Sequence, residues 1–278
     1  MAEATLLSLN TNMVAESARR YWATTESALQ TTTARLSSGL RINTARDDPA
    51  GLAISERLLA QIRGMDMGVR NANEGISRVQ VGESAVGSMV SALQRMKELA
   101  VQASTGTLTG ADRDLLEVEF DQLQAQVNDL VSNTAHGDVS LLDNANSAAF
   151  QVGPRPGQTL SMSNTDLSGL ATTVGALSLA DGTGALATAA NAALDTALET
   201  ATSARASWGA MLSRFDSVVS NLQSSSIALT AARGRIVDAD IALETANQSR
   251  LSVLQESAIA MLAQANARPQ TVLRLLLG

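Results

Sequence analysis

A seam of small and apolar residues between Val79 and Ala103 constrains the fold of this chain more than any other feature. Its members follow one another in steps of three or four: Val79, Gly82, Val86, Met89, Leu93, Met96, Ala100 and Ala103. This spacing predicts one helix with a continuous apolar stripe along about seven turns. Because a helix cannot bury such a stripe alone, the rest of the chain must supply partner helices.

The composition favours helix–helix packing. Hydrophobic residues make up 45% of the 278 residues but aromatic residues only 2%, so the apolar side chains are mainly Ala, Leu, Val, Ile and Met. The net charge of -7 argues against non-specific nucleic-acid binding, since no basic patch is available to neutralise phosphates. The absence of cysteine excludes disulfides, thiolate metal sites and a cysteine nucleophile.

The sequence predicts neither a cleaved secretory signal nor a membrane-spanning helix. Residues 1–12 lack the basic start and apolar run of a cleaved signal. The longest apolar run, near Val272 to Leu277, is short and is broken by Arg274. These rules alone predict a cytoplasmic protein that does not bind membranes.

A helix is predicted over residues 11–36. Its pattern is interrupted at Ser37-Ser38-Gly39. Its seam is thin and consists of Val14, Ala18, Tyr21, Thr25 and Ala28. Asp48 and Pro49 are then typical of an N-cap and a first helical position.

The helix that follows Asp48 is predicted over Leu52 to Arg63. Gly64 and Gly68 leave its continuation open, and the long seam helix begins at Asn71.

A further helix is predicted to begin after Thr109, which can form a capping box with Asp112. Its seam again runs in steps of four and three: Leu116, Phe120, Leu123, Val127 and Leu130. The short connection from Gly106 to Gly110 predicts that this helix is the antiparallel neighbour of the long seam helix.

Residues 144–189 have a different character and predict a small insert. Two short alternating segments, 149–152 and 158–163, flank Gly153-Pro154-Arg155-Pro156-Gly157 and predict a β-hairpin. Residues 164–184 are rich in Gly, Thr and Ser, so an outward-facing loop region tolerant of deleting Ser168 to Thr173 is expected.

The second arm of the chain predicts two more helices. One seam contains Leu194, Leu198, Ala201, Arg205, Trp208, Leu212, Phe215, Val219 and Leu222, with Arg205 as the single polar member. That helix is expected to reach Ala232, with Gly234 as a possible stop. The last helix is expected from Asp238 or Asp240, with Pro269 ending or weakening it. Its seam contains Leu251, Leu254, Ala258, Met261 and Ala265.

Together these patterns predict a mainly α fold: a long antiparallel helical bundle or coiled coil from both chain ends, with a small insert that contains a β-hairpin. The two arms can pack on each other only if the chain doubles back at the insert. We expect a terminal coiled-coil domain from residues 1–45 and 235–278, an α-helical core domain from 46–143 and 190–234, and a variable β/loop region over 144–189.

Several of these segments resemble bacterial flagellin, the subunit of the flagellar filament, and the match covers nearly the whole chain. The matching segments are Leu36 to Asn43, Asp47 to Ile54, Arg70 to Ser77, Leu93 to Gln102, Arg205 to Ala210, Asp238 to Asp240 and Leu262 to Asn266. The chain departs from the family where Trp208 replaces the usual Leu, where Leu212-Ser213 replace Gln-Asn, and where His136-Gly137-Asp138 replace Phe-Asn-Gly. It is also short for the family, with the outer domains missing or reduced to the insert.

The resemblance implies a structural protein that polymerises with itself, outside the cell, after unfolded export by the flagellar type III apparatus without a cleaved signal. It implies terminal helices packed as a coiled coil inside the filament, through Val14, Ala18, Tyr21, Leu251, Leu254, Ala258 and Met261. It also implies a flagellin export chaperone, a filament cap and hook-junction proteins as partners.

A second candidate surface is formed by Gln94, Arg95, Leu99 and Glu119. In flagellins the positions that match Arg95, Leu99 and Glu119 contact the vertebrate Toll-like receptor and lie in a surface buried between subunits. A plainer interpretation makes Arg95 and Glu119 exposed charges on neighbouring helices, with Leu99 beside the seam.

Two other function classes are open alternatives. The first is a hook–filament junction protein, which shares the terminal helices and differs in copy number on the flagellum. The second is an enzyme, which we do not expect, because the insert is short and poor in charged side chains.

His136 is the only histidine and is interpreted as a loop residue, so no catalytic residue, metal or cofactor is expected. Asp238 and Asp240 are interpreted as charges at the start of the last helix.

Overall fold

The computed structural model describes residues 11–144, 147–181 and 183–277, with side chains up to residue 268. Residues 1–10 of the predicted terminal domain lie outside the described residues. The elements in chain order are α1 (Met13–Ser38), α2 (Pro49–Ala103), α3 (Gly110–Asn133), β1 (Ala135–His136), β2 (Val139–Ser140), β3 (Ser147–Gln151), β4 (Thr159–Ser163), α4 (Ser168–Gly175), α5 (Ala185–Val237) and α6 (Ile241–Leu277). The prediction of a mainly helical fold with a small hairpin-containing insert is confirmed.

The chain divides into two compact units. The first unit contains the described residues up to Leu59 and those from Leu229 onward, and the second contains the described residues between Ala60 and Ala228. In the first unit α1 packs against α6. The second unit contains α3, α4, both hairpins and most of the lengths of α2 and α5.

The long seam predicted from the sequence lies in the core of the second unit. All eight of its members are buried, and Val86, Met89, Leu93 and Met96 are completely inaccessible. Phe120 and Val127 of α3 and Leu194 and Phe215 of α5 pack into the same core. Burial of this set gives the second unit a hydrophobic core that α2 shares with its neighbours.

The helix α2 is continuous through Gly64 and Gly68, where the sequence left its continuation open, so the separate helix start predicted at Asn71 is wrong. These glycines lie where the turn of the β3–β4 hairpin crosses the helix. A Cβ atom at Gly64 would lie 2.6 Å from Pro154 Cβ, and one at Gly68 would lie 2.6 Å from the Val152 carbonyl oxygen. The glycines are therefore sites of close packing rather than helix ends. The predicted start is confirmed, because Asp48 Oδ1 accepts a 2.8 Å hydrogen bond from the Gly51 amide.

The helices α5 and α6 also run further than predicted. Helix α5 passes through Gly234 and ends at Val237, and α6 passes through Pro269 and ends at Leu277. A Cβ atom at Gly234 would lie 2.7 Å from Asp238 Oδ2, so this glycine makes room for the turn between the two helices. Asp240 caps α6, since its Oδ1 accepts a 3.1 Å hydrogen bond from the Leu243 amide.

The predicted place of Arg205 in the α5 seam is wrong. Its guanidinium is about half exposed, and its Nε donates a 2.6 Å hydrogen bond to Glu83 Oε1 of α2. The seam continues through its small neighbour Ala204, which is buried. One turn further, the Trp208 indole fills the notch that Gly82 leaves in α2, where a Cβ atom would lie only 1.2 Å from the ring.

The hairpin predicted in the insert is confirmed. Strands β3 and β4 pair antiparallel from Ser147 opposite Ser163 to Gln151 opposite Thr159, and Gly157 in the turn has φ +83°. A second, shorter hairpin pairs β1 with β2 and includes His136.

The outward loop expected over residues 164–184 is wrong in part, because this segment contains α4. Leu167, Leu170, Ala171, Val174 and Leu179 are buried in the core of the second unit. Gln124 of α3 fixes the end of α4 by donating hydrogen bonds of 2.8 Å to the carbonyls of Val174 and Leu177. The steps of three and four from Leu167 to Val174 are those of a helix, which the abundance of Ser, Thr and Gly conceals.

Candidate assembly surfaces

The two terminal helices α1 and α6 pair through a thin seam. Asn12 caps α1 by accepting a 3.1 Å hydrogen bond from the Ala15 amide, and its Nδ2 donates a 2.8 Å hydrogen bond to the Ala265 carbonyl of α6. Ala15 and Ala265 are buried beside this contact. Because alanine removes little apolar surface from water, each such contact stabilises the pair only weakly.

The register of this seam differs from the predicted one. The buried and half-buried positions of α1 are Ala15, Ala18, Thr25, Glu26, Ala28, Leu29, Thr32, Arg35 and Leu36, and those of α6 up to residue 268 are Glu244, Asn247, Gln248, Leu251, Ser252, Gln255, Ala258, Leu262 and Ala265. Ala18, Leu251 and Ala258 lie in this seam of the single chain. Val14, Tyr21, Leu254 and Met261 do not, and they are 43%, 73%, 48% and 61% exposed.

A small junction ties α1 to the start of α6. The Arg41 amide donates to the Val237 carbonyl (2.7 Å), and the Ala239 amide donates to the Gly39 carbonyl (2.9 Å). Arg35 lies 3.5 Å from the buried Glu244 and 4.0 Å from Asp47. Gly39 has φ +71°, which favours glycine at this helix end.

The second candidate surface lies where α2 and α3 run side by side. Arg95 Nε donates a 2.8 Å hydrogen bond to Glu119 Oε1, and its Nη1 donates a 2.9 Å bond to Glu98 Oε2. These two hydrogen bonds raise the pKa of Arg95 far above its ordinary value, and the bond to Glu119 has the larger effect. Arg95 and Glu119 are about half exposed and Gln94 is exposed, so all three are accessible to another protein.

Leu99 does not belong to this accessible surface. It is only 1% exposed and packs in the core of the second unit. A direct contact between Leu99 and another protein is therefore not open in this conformation.

Sequence reasoning missed Arg113, a residue in the first turn of α3 whose side chain reaches the end of α2. It is 2% exposed, and its guanidinium donates to the carbonyls of Ala103 (2.7 Å) and Thr105 (3.1 Å). It thereby satisfies backbone oxygens that the end of a helix leaves unpaired. The only signal was an arginine in the first turn of a predicted helix, which is not distinctive.

Asp181 organises the entry into α5 near Arg113. Its carboxylate accepts hydrogen bonds from the amides of Leu186 and Gly184 and from Thr183. These bonds, chiefly that from Leu186, lower the pKa of Asp181 to about 2. The ionised carboxylate therefore acts as a cap before the longest helix of the second arm.

Over residues 11–144, 147–181 and 183–277 we find no group of three or more His, Cys, Asp or Glu side chains placed to hold a metal ion. Over the same ranges no helix has the length and hydropathy needed to cross a membrane.

Comparison with known proteins gives a consistent result. Residues 9–147 match the bacterial flagellin N-terminal helical region, and residues 192–276 match the bacterial flagellin C-terminal helical region. A flagellin of Halalkalibacterium halodurans is 40% identical over 96% of this chain and 99% of its own length.

Two solved structures share the fold. The crystal structure of Bacillus cereus flagellin is 30% identical, with a TM-score of 0.51 over 59% of this chain and 94% of that one. The structure of a putative flagellar hook-associated protein from Vibrio parahaemolyticus has a TM-score of 0.55 over 69% of this chain and 100% of that one. At 14% identity it shows the fold alone.

The described fold, with its paired terminal helices and its outward apolar side chains, defines a helical structural protein of the kind that assembles into polymers. The chain belongs to the bacterial flagellin family. It is a structural subunit that polymerises with itself into the flagellar filament outside the cell.

Proposed function

We propose that this filament subunit assembles through two surfaces: the outer faces of the α1–α6 pair, and the surface of α2 and α3 around Arg95. The observation that carries the first is the exposure of Val14, Tyr21, Leu254 and Met261 in the single chain. Burying one such side chain stabilises a contact by about 1.5–3 kcal/mol. A neighbouring copy that covers these four residues thus supplies the burial that the thin α1–α6 seam lacks.

The terminal helices fold together only when the subunit joins the filament. Fixing the backbone costs about 1–2 kcal/mol per residue, and isolated helices of this kind are marginal in water. A seam that consists mostly of Ala, Thr and polar side chains, with four half-buried leucines, does not offset that cost in a free subunit. Disordered ends suit unfolded export and prevent polymerisation inside the cell.

Hydrogen exchange on free subunits and on filaments tests this coupling. We expect rapid exchange at Leu251 to Ala265 in the free subunit and protection in the filament. Strong protection in the free subunit would contradict the proposal, and so would normal filaments from a chain that lacks residues 250–278.

Single substitutions separate packing between copies from packing within one chain. Leu254→Ser and Met261→Ser should slow polymerisation without changing the melting of the free subunit, because both side chains are exposed there. Ser257→Ala, at an exposed polar position of the same helix, is the matched control and should leave both properties unchanged.

The second surface serves subunit contact through Gln94, Arg95 and Glu119. The same surface is the proposed contact for the vertebrate Toll-like receptor that detects flagellins. Arg95→Ala should reduce both polymerisation and activation of receptor-reporter cells by the free subunit, since it removes a guanidinium that two carboxylates hold in place. Unchanged values in both assays would refute this role.

The proposal includes the partners and the route expected for the family. They are a chaperone that covers the C-terminal end, a filament cap, hook-junction proteins, and type III export without a cleaved signal. Thousands of copies per purified flagellum are expected, whereas a single ring of copies would support the junction alternative. We retain the three-part division into terminal residues 1–45 and 235–278, core residues 46–143 and 190–234, and variable residues 144–189.

We further propose that the protein has no catalytic role and needs no cofactor. This rests on the structural function of the family and on the use of the insert in core packing, where Leu160, Met162 and Leu170 are buried. Hydrolase activity that copurifies with intact filaments and is lost on deleting the β3–β4 hairpin would overturn it.

A further inference from the structure

Arg78 is a buried charge in the second unit. It lies on α2, two turns after Asn71, whose side-chain amide donates a 2.8 Å hydrogen bond to the Gln151 carbonyl of β3. The Arg78 guanidinium reaches Asn164, the residue that follows β4, and Arg78 is only 9% exposed. A positive charge is therefore enclosed between α2 and the β3–β4 hairpin.

The polar groups around Arg78 leave its guanidinium unsatisfied. Its Nη2 lies 3.4 Å from Asn164 Oδ1, which is longer than a typical hydrogen bond. Its Nε is inaccessible to solvent and has no hydrogen-bond partner among the described residues. No carboxylate in the described part of the chain forms an ion pair with it. Burial lowers the pKa of Arg78 from its ordinary value, and no neighbouring charge opposes that effect.

A second buried arginine of the same unit shows what a satisfied guanidinium requires. Arg113 donates to three backbone carbonyls, those of Ala103, Thr105 and Asp181. Arg78 has no comparable set of acceptors. Because arginine does not lose its proton in a protein, Arg78 cannot avoid the cost of burial by becoming neutral. An anion from outside the chain would remove that cost.

Another unsatisfied polar group lies close to Arg78. Asn164 Nδ2 donates a 2.9 Å hydrogen bond to the Ser140 carbonyl, so one side-chain amide links Arg78 to Ser140. The Ser140 hydroxyl is also inaccessible to solvent and has no partner within the ranges that the structure describes. A guanidinium and a hydroxyl both donate hydrogen bonds, so the two groups can bind the oxygens of one anion.

A cavity provides a route for an ion to approach Arg78. It has a volume of about 380 Å³, and both Asn164 and Val79, the next residue on α2, line it. Asp166 lines it too, and its carboxylate accepts hydrogen bonds from the Ser168 hydroxyl and amide, which lower the pKa of Asp166. This ionised carboxylate repels polyanions, so the site suits a small anion of low charge.

We propose that Arg78 and the Ser140 hydroxyl bind a small oxyanion, of the class of inorganic phosphate or a simple carboxylate. Two oxygens of the anion accept hydrogen bonds from Nε and Nη2 of the guanidinium, whose planar fork matches that geometry. The anion neutralises the buried charge and thereby stabilises the folded second unit. All the residues of the site belong to one chain, so the proposal does not depend on self-assembly.

Titration of the free full-length chain with inorganic phosphate tests the site directly. The Nε–H signal of Arg78 in a proton–nitrogen spectrum, identified by its loss in Arg78→Met, should shift saturably as phosphate replaces chloride at constant ionic strength. Arg70→Met removes an exposed arginine of the same helix and is the matched control, which should leave this shift unchanged. No shift, or an equal shift with chloride alone, would overturn the proposal.

Thermal melting separates specific binding from the general effect of salt. Phosphate strengthens apolar burial in any protein, so the melting temperature of Arg78→Met should rise only gradually and without saturation. The unaltered chain and Arg70→Met should show an additional rise that saturates. Without an oxyanion, Arg78→Met should melt at or above the temperature of the unaltered chain, because an unpaired buried charge is costly. Parallel curves for all three proteins would refute the proposal.

Two further measurements identify the source of the anion. Asp166→Asn should lower the phosphate concentration at half saturation by about twofold or more, because it removes a negative charge from the cavity. A higher concentration would count against the site. If instead the Arg78 signal ignores phosphate in the free chain and shifts only on polymerisation, a carboxylate of a neighbouring copy fills the site and the proposed binding of a free ion is wrong.

Discussion

The Gly82–Trp208 contact allows a sharp test of the core packing. A Cβ atom at Gly82 would lie 1.2 Å from Cζ3 and 1.7 Å from Cη2 of the Trp208 indole. The ring is rigid and only 4% exposed, and its Nε1 donates a 2.8 Å hydrogen bond to Thr165. Replacing Gly82 with alanine must therefore drive the indole out of its notch or push α2 and α5 apart.

The cost of this substitution follows from the surface that the indole loses. A tryptophan buries on the order of 150–250 Å², and at about 25 cal/mol per Å² full expulsion costs at most about 4–6 kcal/mol. The lost hydrogen bond adds about 1 kcal/mol, and the higher helix propensity of alanine returns about 1 kcal/mol. Because partial repacking reduces the total, we expect Gly82→Ala to lower the free energy of unfolding by about 3–5 kcal/mol.

Chemical denaturation and tryptophan fluorescence measure this effect. In a Trp22→Phe background the emission reports Trp208 alone, and Gly82→Ala should shift it to longer wavelength. Gly209→Ala is the matched control: nothing lies within 4 Å of a Cβ there, so it should stabilise the chain by about 0.5–1 kcal/mol. Adding Trp208→Leu to Gly82→Ala should recover most of the loss. If Gly82→Ala behaves like Gly209→Ala, the described packing is wrong.

Three further predictions address the ends of the second unit. Arg113→Met should destabilise the chain by about 1–3 kcal/mol for each helix-end carbonyl left unpaired, as measured by denaturant titration against an Arg70→Met control. The pKa of Asp181 is about 2 in the folded chain, below its ordinary value of 3.8, so its stabilising effect is fully present above pH 4 or so and is lost as the pH falls towards 2. Melting temperatures across this range should fall less steeply in Asp181→Asn. Deleting Ser168 to Thr173 should cost more than the roughly 2–5 kcal/mol of a single buried Leu→Ala change, because it removes Leu170 and Ala171 from the core; unaltered melting would restore the loop interpretation.

The second unit was predictable from its sequence to a large extent, because its seams contain Leu, Met, Val and Phe at regular spacing. The eight-residue seam of α2 and the Thr109–Asp112 capping box of α3 are where the pattern placed them. The errors came from residues with two possible roles. Gly64 and Gly68 left the continuation of the helix open and a new start was placed at Asn71, although these glycines permit close contact with the hairpin turn. No local pattern distinguishes these roles, since the partner lies about 90 residues further along the chain.

The terminal helices were harder to predict for a different reason. Hydrophobic periodicity marks residues that are buried somewhere, and in a subunit of a polymer that burial need not occur within one chain. Val14, Tyr21, Leu254 and Met261 drew the predicted seam towards themselves, while the seam within the chain passes through less apolar neighbours such as Ala15 and Gln255. This mismatch has a physical meaning under the proposed assembly. A terminal pair whose larger side chains point outward is weak alone and gains stability only where other copies surround it, so the same residues that obscured the register are those that make polymerisation and terminal folding one event.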